Sequence, residues 1–185
     1  MTAQINDKLR LGYGDFDIVA LENPDEFFDF SKLGLTPRFT CTACWRGYIA
    51  IFDIDKSNNL ILKNLYTNND GEVPPAINGI EPVEIIDWKN NIYAITGNLA
   101  YENIYLPINY TGSLLIGDNF IDDYYVHMGF KSPLSYEYLE EFVFENDICI
   151  STIDLSKEAK IRRENQKSIE KGHKTIPNGL KINLI

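Results

Sequence analysis

The stretch from residue 43 to residue 66 constrains the fold of this chain more than any other. Over residues 43–54 apolar side chains occupy both alternating faces: Trp45, Gly47, Ile49 and Ile51 on one, Tyr48, Ala50, Phe52 and Ile54 on the other. A strand that is apolar on both sides must be covered on both sides, which places it in the centre of a sheet. Lys56-Ser-Asn-Asn59 is turn chemistry, and residues 60–66 then return as the partner strand.

Shorter segments repeat this style. Leu9, Leu11 and Tyr13 alternate with Arg10 and Gly12 and read as a strand with one buried face, continued by residues 16–21. A second hairpin is expected over residues 83–88 and 92–96, around Lys89-Asn-Asn91. Residues 104–110, 113–116 and 124–130 read as three further strands. Residues 139–144 and 148–153 form a last hairpin about Glu145-Asn-Asp147. Residues 67–80 lack periodicity and read as a loop. Ile, Tyr and Asn are abundant, which suits strands joined by tight turns.

Two segments read as helix. Asn23 sits where an N-cap belongs, Pro24 at the first helical position and Glu26 at a capping-box-like spacing; Phe27, Phe28 and Phe30 supply apolar surface, and Gly34 ends the segment. Residues 156–171 (SKEAKIRRENQKSIEK) are helix formers stopped by Gly172, with a thin apolar stripe of Leu155, Ala159 and Ile169. This helix either lies on the acidic body or projects from it. The last segment, with Leu180, Ile182, Leu184 and Ile185, is an edge strand or a frayed tail. The expected fold class is α+β and β-dominated: a curved antiparallel sheet with a short N-terminal helix and a C-terminal helix.

Charge divides the 185 residues in two. Residues 1–154 carry 24 acidic against 9 basic side chains, a net of −15; residues 155–185 carry 8 basic against 3 acidic, a net of +5. An acidic β-rich domain over 1–154 and a basic helical appendage over 155–185 are therefore expected. A body of this charge is not built to neutralise phosphates, so nucleic acid is excluded as its partner; a basic protein is attracted. The N-terminus lacks the basic start and apolar run of a signal peptide, and no apolar run approaches the ~18 residues of a membrane span. Three cysteines, an odd number, read as reduced thiols, and the expected location is the cytoplasm.

Catalytic constellations are weak. Cys41-Thr-Ala-Cys44 has redox or metal spacing, but the pair enters a strand, where residues three apart point to opposite faces. It does not open a helix that would lower a thiol pKa. A four-ligand zinc site would have to draw on Cys149, His127 and His173. Two strand cysteines are expected, with no metal and no cofactor. His127 shares a strand face with Tyr125 and has no Ser, Cys or Asp at triad spacing, so it reads as a structural histidine; His173 lies in the basic tail. Arg46, beside Trp45 and Tyr48, is expected to stack on an aromatic ring or pair with a buried carboxylate, pinning the sheet.

The sequence IAIFDIDKS, with Asp53-x-Asp55, resembles the nucleophile motif of haloacid-dehalogenase phosphatases. Residues 92–96 resemble their second motif, and Gly117-Asp-Asn-Phe-Ile-Asp122 their acidic magnesium motif. This resemblance implies a magnesium-dependent phosphohydrolase using Asp53, Asp55, Asp118 and Asp122. Against it, no Lys or Arg lies between Thr96 and Gly117, and a hairpin turn rather than a helix follows Asp55.

Trp45-Arg46-Gly47-Tyr48, in its hairpin, and Tyr125-Val126-His127-Met128-Gly129 together resemble a group of small bacterial proteins with no agreed activity. In size, acidity and lack of a catalytic motif the chain is also similar to the immunity proteins of bacterial polymorphic-toxin systems. These are small cytoplasmic proteins that bind and block one cognate toxin domain. That resemblance implies a non-enzymatic chain whose partner is a basic toxin domain. The densest acidic stretch, Asp118, Asp122, Asp123, Glu137, Glu140 and Glu141, is then the expected contact surface, by charge complementarity. A third reading, a self-assembling scaffold, assigns association to the basic tail, and the oligomeric state stays open.

Overall fold

The central hairpin forms as the alternation predicts and anchors everything else. In the computed structural model, which describes residues 2–12, 14–70, 73–86 and 92–170, β3 (Tyr48–Ile54) pairs antiparallel with β4 (Leu60–Thr67). The turn between them is built by Asp55, whose carboxylate accepts from the amides of Ser57 (2.7 Å) and Asn59 (2.9 Å). Asn58 takes the left-handed conformation that closes it (φ 65°), a conformation that asparagine tolerates better than most residues.

Among the described residues ten strands join one sheet. The others are β1 (Lys8–Leu11), β2 (Gly14–Leu21), β5 (Val83–Glu84), β6 (Leu99–Tyr101), β7 (Leu106–Pro107), β8 (Gly112–Phe120), β9 (Tyr136–Glu145) and β10 (Ile148–Asp154). The order is β10-β9-β8-β2-β1-β3-β4-β6-β5, with β7 also on β4. The sheet curves until the tips of its two long hairpins meet. Cys149 N donates to Asn58 O and Leu60 N to Asp147 O, both at 2.8 Å, but the sheet does not close. Its concave side holds the main core, where Leu9, Phe16, Phe52, Leu62, Leu114 and Phe142 meet beneath Phe27 and Phe30.

The sheet is mixed rather than wholly antiparallel, because β1 runs parallel to β3 (Leu9 opposite Phe52). The chain between them, residues 22–47, crosses the concave side and gives the parallel pair the long connection it needs. That crossing contains α1 (Pro24–Phe27) and a 3₁₀ turn at Phe30–Leu33, not one helix. Asn23 makes no side-chain cap because it is itself left-handed (φ 51°). Asp29 caps the second turn instead, accepting from Ser31 N at 3.1 Å, and Gly34 ends it at φ 70°.

The strands expected at 113–116 and 139–144 are longer, Gly112–Phe120 and Tyr136–Glu145, whereas other expected strands shorten or are absent. The central strand begins at Tyr48 rather than at residue 43, because residues 41–47 are spent on turns. Residues 92–96 are a 3₁₀ turn stacked on the outer side of the hairpin, Tyr93 on Tyr66 with ring centroids 4.6 Å apart. Of residues 104–110 only Leu106–Pro107 pair. Residues 124–130 are not a strand: a 3₁₀ turn (Asp122–Tyr124) leads into an extended loop whose ladder contact is a single bridge from Gly129 to Ala3. Apolar content alone cannot separate a strand from an aromatic loop that packs by its rings. Trp88, the turn at Lys89-Asn-Asn91, and everything expected of Gly172, His173 and the final apolar segment lie outside the described residues.

Helix α2 (Ser156–Glu170) lies on the body, on the convex side of the sheet. Leu155 N donates to Leu139 O at 2.8 Å, and Leu155 and Ala159 pack against Leu115 and Leu139. One turn further on, the buried Arg163 donates to the carbonyls of Tyr136 (2.8 Å) and Leu134 (3.4 Å). No helix among the described residues is long and apolar enough to cross a membrane.

Candidate functional site

The acidic stretch is divided by the strands that carry it. Asp118 follows Ile116 on β8, and Glu140 precedes Phe142 on β9; by the period of two both point to the side of the sheet that bears the main core. Glu140 accepts from the Tyr138 hydroxyl. Glu137 and Glu141 share the opposite side with Leu139, where α2 packs, and Glu137 lines a cleft with Lys157 and Lys160 of the helix. Asp122 and Asp123 stand exposed on the 3₁₀ turn that follows β8. Strand alternation thus presents the six acids as two facing groups and a corner.

The aspartates of the phosphatase-like motif are bound into the hairpin. Asp53 pairs with Lys63 across β3 and β4 and accepts from the amide of Ile54 at 2.8 Å. Asp55 holds its own turn, and the hydrogen bond from the Asn59 side chain, with the backbone amides, keeps its carboxyl below the usual range. Asp118 lies three strands from Asp53, about 14 Å at ~4.8 Å per strand. Among the described residues no group of three or more His, Cys, Asp or Glu side chains converges as metal ligands would.

Cys41 and Cys44 are not on a strand. They face each other across a turn in which Cys44 N donates to Cys41 O at 3.1 Å, and both are free thiols. Burial pushes the Cys44 thiol up, the reverse of what a nucleophile needs, and its Sγ lies 3.2 Å from Tyr48 O as a donor.

This turn leads into a site that the two resembling segments build together. Arg46 pairs with Asp7 at 2.5 Å and donates to Ile5 O at 3.1 Å. Its guanidinium lies over the rings of Tyr48 (4.9 Å) and Phe130 (5.4 Å). Both expected roles of Arg46, stacking and carboxylate pairing, are therefore filled at once. Burial opposes its charge, but Asp7 outweighs burial and holds the pKa above its ordinary value. Asp7 spends its other oxygen on the amide of Ala50 (2.8 Å), which ties the ion pair to the central strand. Gly47 makes the approach possible: at φ 73° a side chain would be strained, and a Cβ would stand 2.3 Å from Arg38 O.

Gln4 joins the segments from the other side. Its backbone N–H donates to Gly129 O at 2.9 Å, and its side-chain Oε1 accepts from Trp45 N at 3.0 Å. Gln4 thus links the backbones of Trp45 and Gly129, and Trp45, Tyr125, Val126, Met128 and Phe130 are all exposed, with Asp122 and Asp123 on the turn before the loop. His127 is exposed as well, edge-on to Tyr125 with ring centroids 5.2 Å apart. The sequence singled out Arg46 for stacking or ion pairing but assigned Trp45 and residues 125–129 no binding role, and nothing local marks Gln4 or Asp7 as partners of these segments.

Comparison of the chain with protein-family models, with curated proteins and with solved structures finds no match.

Proposed function

We propose that this chain is a binding protein, an immunity protein that acts in the cytoplasm by occluding a basic toxin domain. The observation that carries this reading is the charge of residues 1–154, a net of −15. It sits on a body whose conspicuous candidate catalytic groups, Asp53, Asp55 and Cys44, are committed to internal contacts. Such a field raises the encounter rate with a cationic protein and disfavours anionic ones.

Affinity capture with the full chain at low and at high salt, followed by mass spectrometry, tests the reading. One cationic protein, bound one to one and lost at high salt, is the expected result. Combined Asn/Gln replacement of Asp118, Asp122, Asp123, Glu137, Glu140 and Glu141 should weaken that complex. Replacing Asp118 with Glu140, and Glu137 with Glu141, as separate pairs identifies the side of the sheet involved. Capture of no cationic protein, or wild-type affinity in the combined variant, counts against it. The phosphohydrolase reading has its own test: phosphatase turnover that is present in the wild type and abolished by Asp53→Asn.

A further inference from the structure

We infer that the surface formed by Trp45 and the loop 125–130 is the anchoring site for a basic protein partner. This rests on the binding function proposed above and locates its contact. Large apolar side chains of soluble proteins normally turn inward, and an exposed cluster of them marks a contact surface. Trp45 is 49 % exposed and Met128 52 %, although the backbone beneath them is held by Gln4 and the ring of Phe130 by Arg46. Exposed anchors on a braced backbone lose little conformational entropy when they bind. Trp, Tyr and Met are the side chains enriched at interface centres, and a charged rim around them is the usual arrangement.

The rim chooses the partner. Asp122 and Asp123 precede the loop directly. Of the cations nearby, Arg46 is paired with Asp7 and Lys131 lies over the ring of Phe120 at 4.2 Å, while Lys157 and Lys160 line the cleft with Tyr124 and Glu137. A second copy would bring the same acids and a net charge of −10 to the contact, so like charges oppose self-association through this face. A protein that offers an apolar pocket bordered by Lys or Arg satisfies both the anchors and the rim.

The probe is a random peptide library displayed on phage and selected against the full chain. Selected peptides should combine aromatic or aliphatic residues with Lys and Arg. Trp45→Ala and Met128→Ala, both exposed truncations checked for folding by circular dichroism, should each weaken those peptides by about tenfold or more. Ile150→Ala, an equally exposed apolar truncation on β10, should leave them unchanged. Equal binding by all three variants, selection of acidic peptides, or no selection overturns the inference. So does a wild-type dimer that Trp45→Ala converts to monomer, because the occupant is then a second copy. If salt-sensitive capture of a cationic protein survives Trp45→Ala and Met128→Ala, the binding function stands and this location falls. If the peptides behave as expected and no cationic protein is captured, the location stands and the function falls.

Discussion

The two long hairpins are built from the same materials and come out differently. Hairpins β3–β4 and β9–β10 both turn on left-handed residues, Asn58 in one and the pair Asn146 and Asp147 (φ 49° and 65°) in the other. Both carry isoleucine-rich strands. In β3, Ile49, Ala50, Ile51 and Phe52 are all fully buried; in β10, Ile148, Ile150 and Ile153 are all exposed. The cause is position. β3 lies between β1 and β4 with the core on one side and Tyr66 and Tyr93 on the other, whereas β10 is the last strand of the sheet. Apolar side chains recruit a strand, but the neighbours it acquires decide whether those side chains stabilise the fold.

Substitutions that separate the hairpins test this, beginning with the largest effect. Phe52→Ala removes a ring that is 0 % exposed and packs 4.8 Å from Phe27, and it should cost about 3–5 kcal/mol. Ile150→Ala, from a side chain 56 % exposed, should stay within about 0.5 kcal/mol. Urea unfolding of the two variants makes the comparison, and equal losses would refute it.

Arg46→Ala should follow at about 3 kcal/mol, because it leaves Asp7 partly buried without its cation at the base of the first hairpin. Arg46→Lys should recover only part of this, since an ammonium cannot both fork onto Asp7 and Ile5 and lie flat between two rings. Full recovery in thermal melts would mean that charge alone matters there.

Alkali should act through buried phenols. Burial pushes Tyr101, whose hydroxyl donates to Pro75 O at 2.8 Å, from 10.0 up to about 12, and Tyr93 likewise. A group whose folded pKa is raised contributes its full stability below its unfolded value. That stability is lost as pH rises through the folded one, so here it falls between pH 10 and about 12. Tyr101→Phe should flatten part of this fall in denaturation curves taken across that range. A small gain belongs to the second turn. Asp147→Gly relieves a left-handed aspartate and should raise stability by about 0.5–1 kcal/mol, read as a shift in the urea midpoint.

Much of this fold was legible because the signals are local. The central strand showed in alternation on both faces, the last hairpin in Asn146-Asp147, and α2 in a run of helix formers. The failures also share a cause. Residues 92–96 and 124–130 have the Ile, Tyr, Val and Phe content of strands, yet they pack by their rings, Tyr93 on Tyr66 and Phe130 on Arg46, with no ladder beyond the single Gly129–Ala3 bridge. The parallel pairing of β1 with β3 has no sequence signature, since register and direction between distant strands emerge only when the chain crosses the core. The acidic stretch was legible as a charge run, but strand alternation splits it between two sides of the sheet.

By itself the sequence determined a β-dominated chain with a central hairpin, a short helix near the N-terminus, a C-terminal helix and an acidic body with a basic end. Those properties are fixed by side-chain periodicity, turn chemistry and charge, all counted along the chain. The tertiary structure alone decided that the exposed Trp45 and the loop carrying the exposed Met128, more than eighty residues apart, are joined at the backbone. It does so through Gln4, Asp7 and Arg46, because hydrogen bonds and an ion pair act over a few ångströms of space and are indifferent to distance along the sequence.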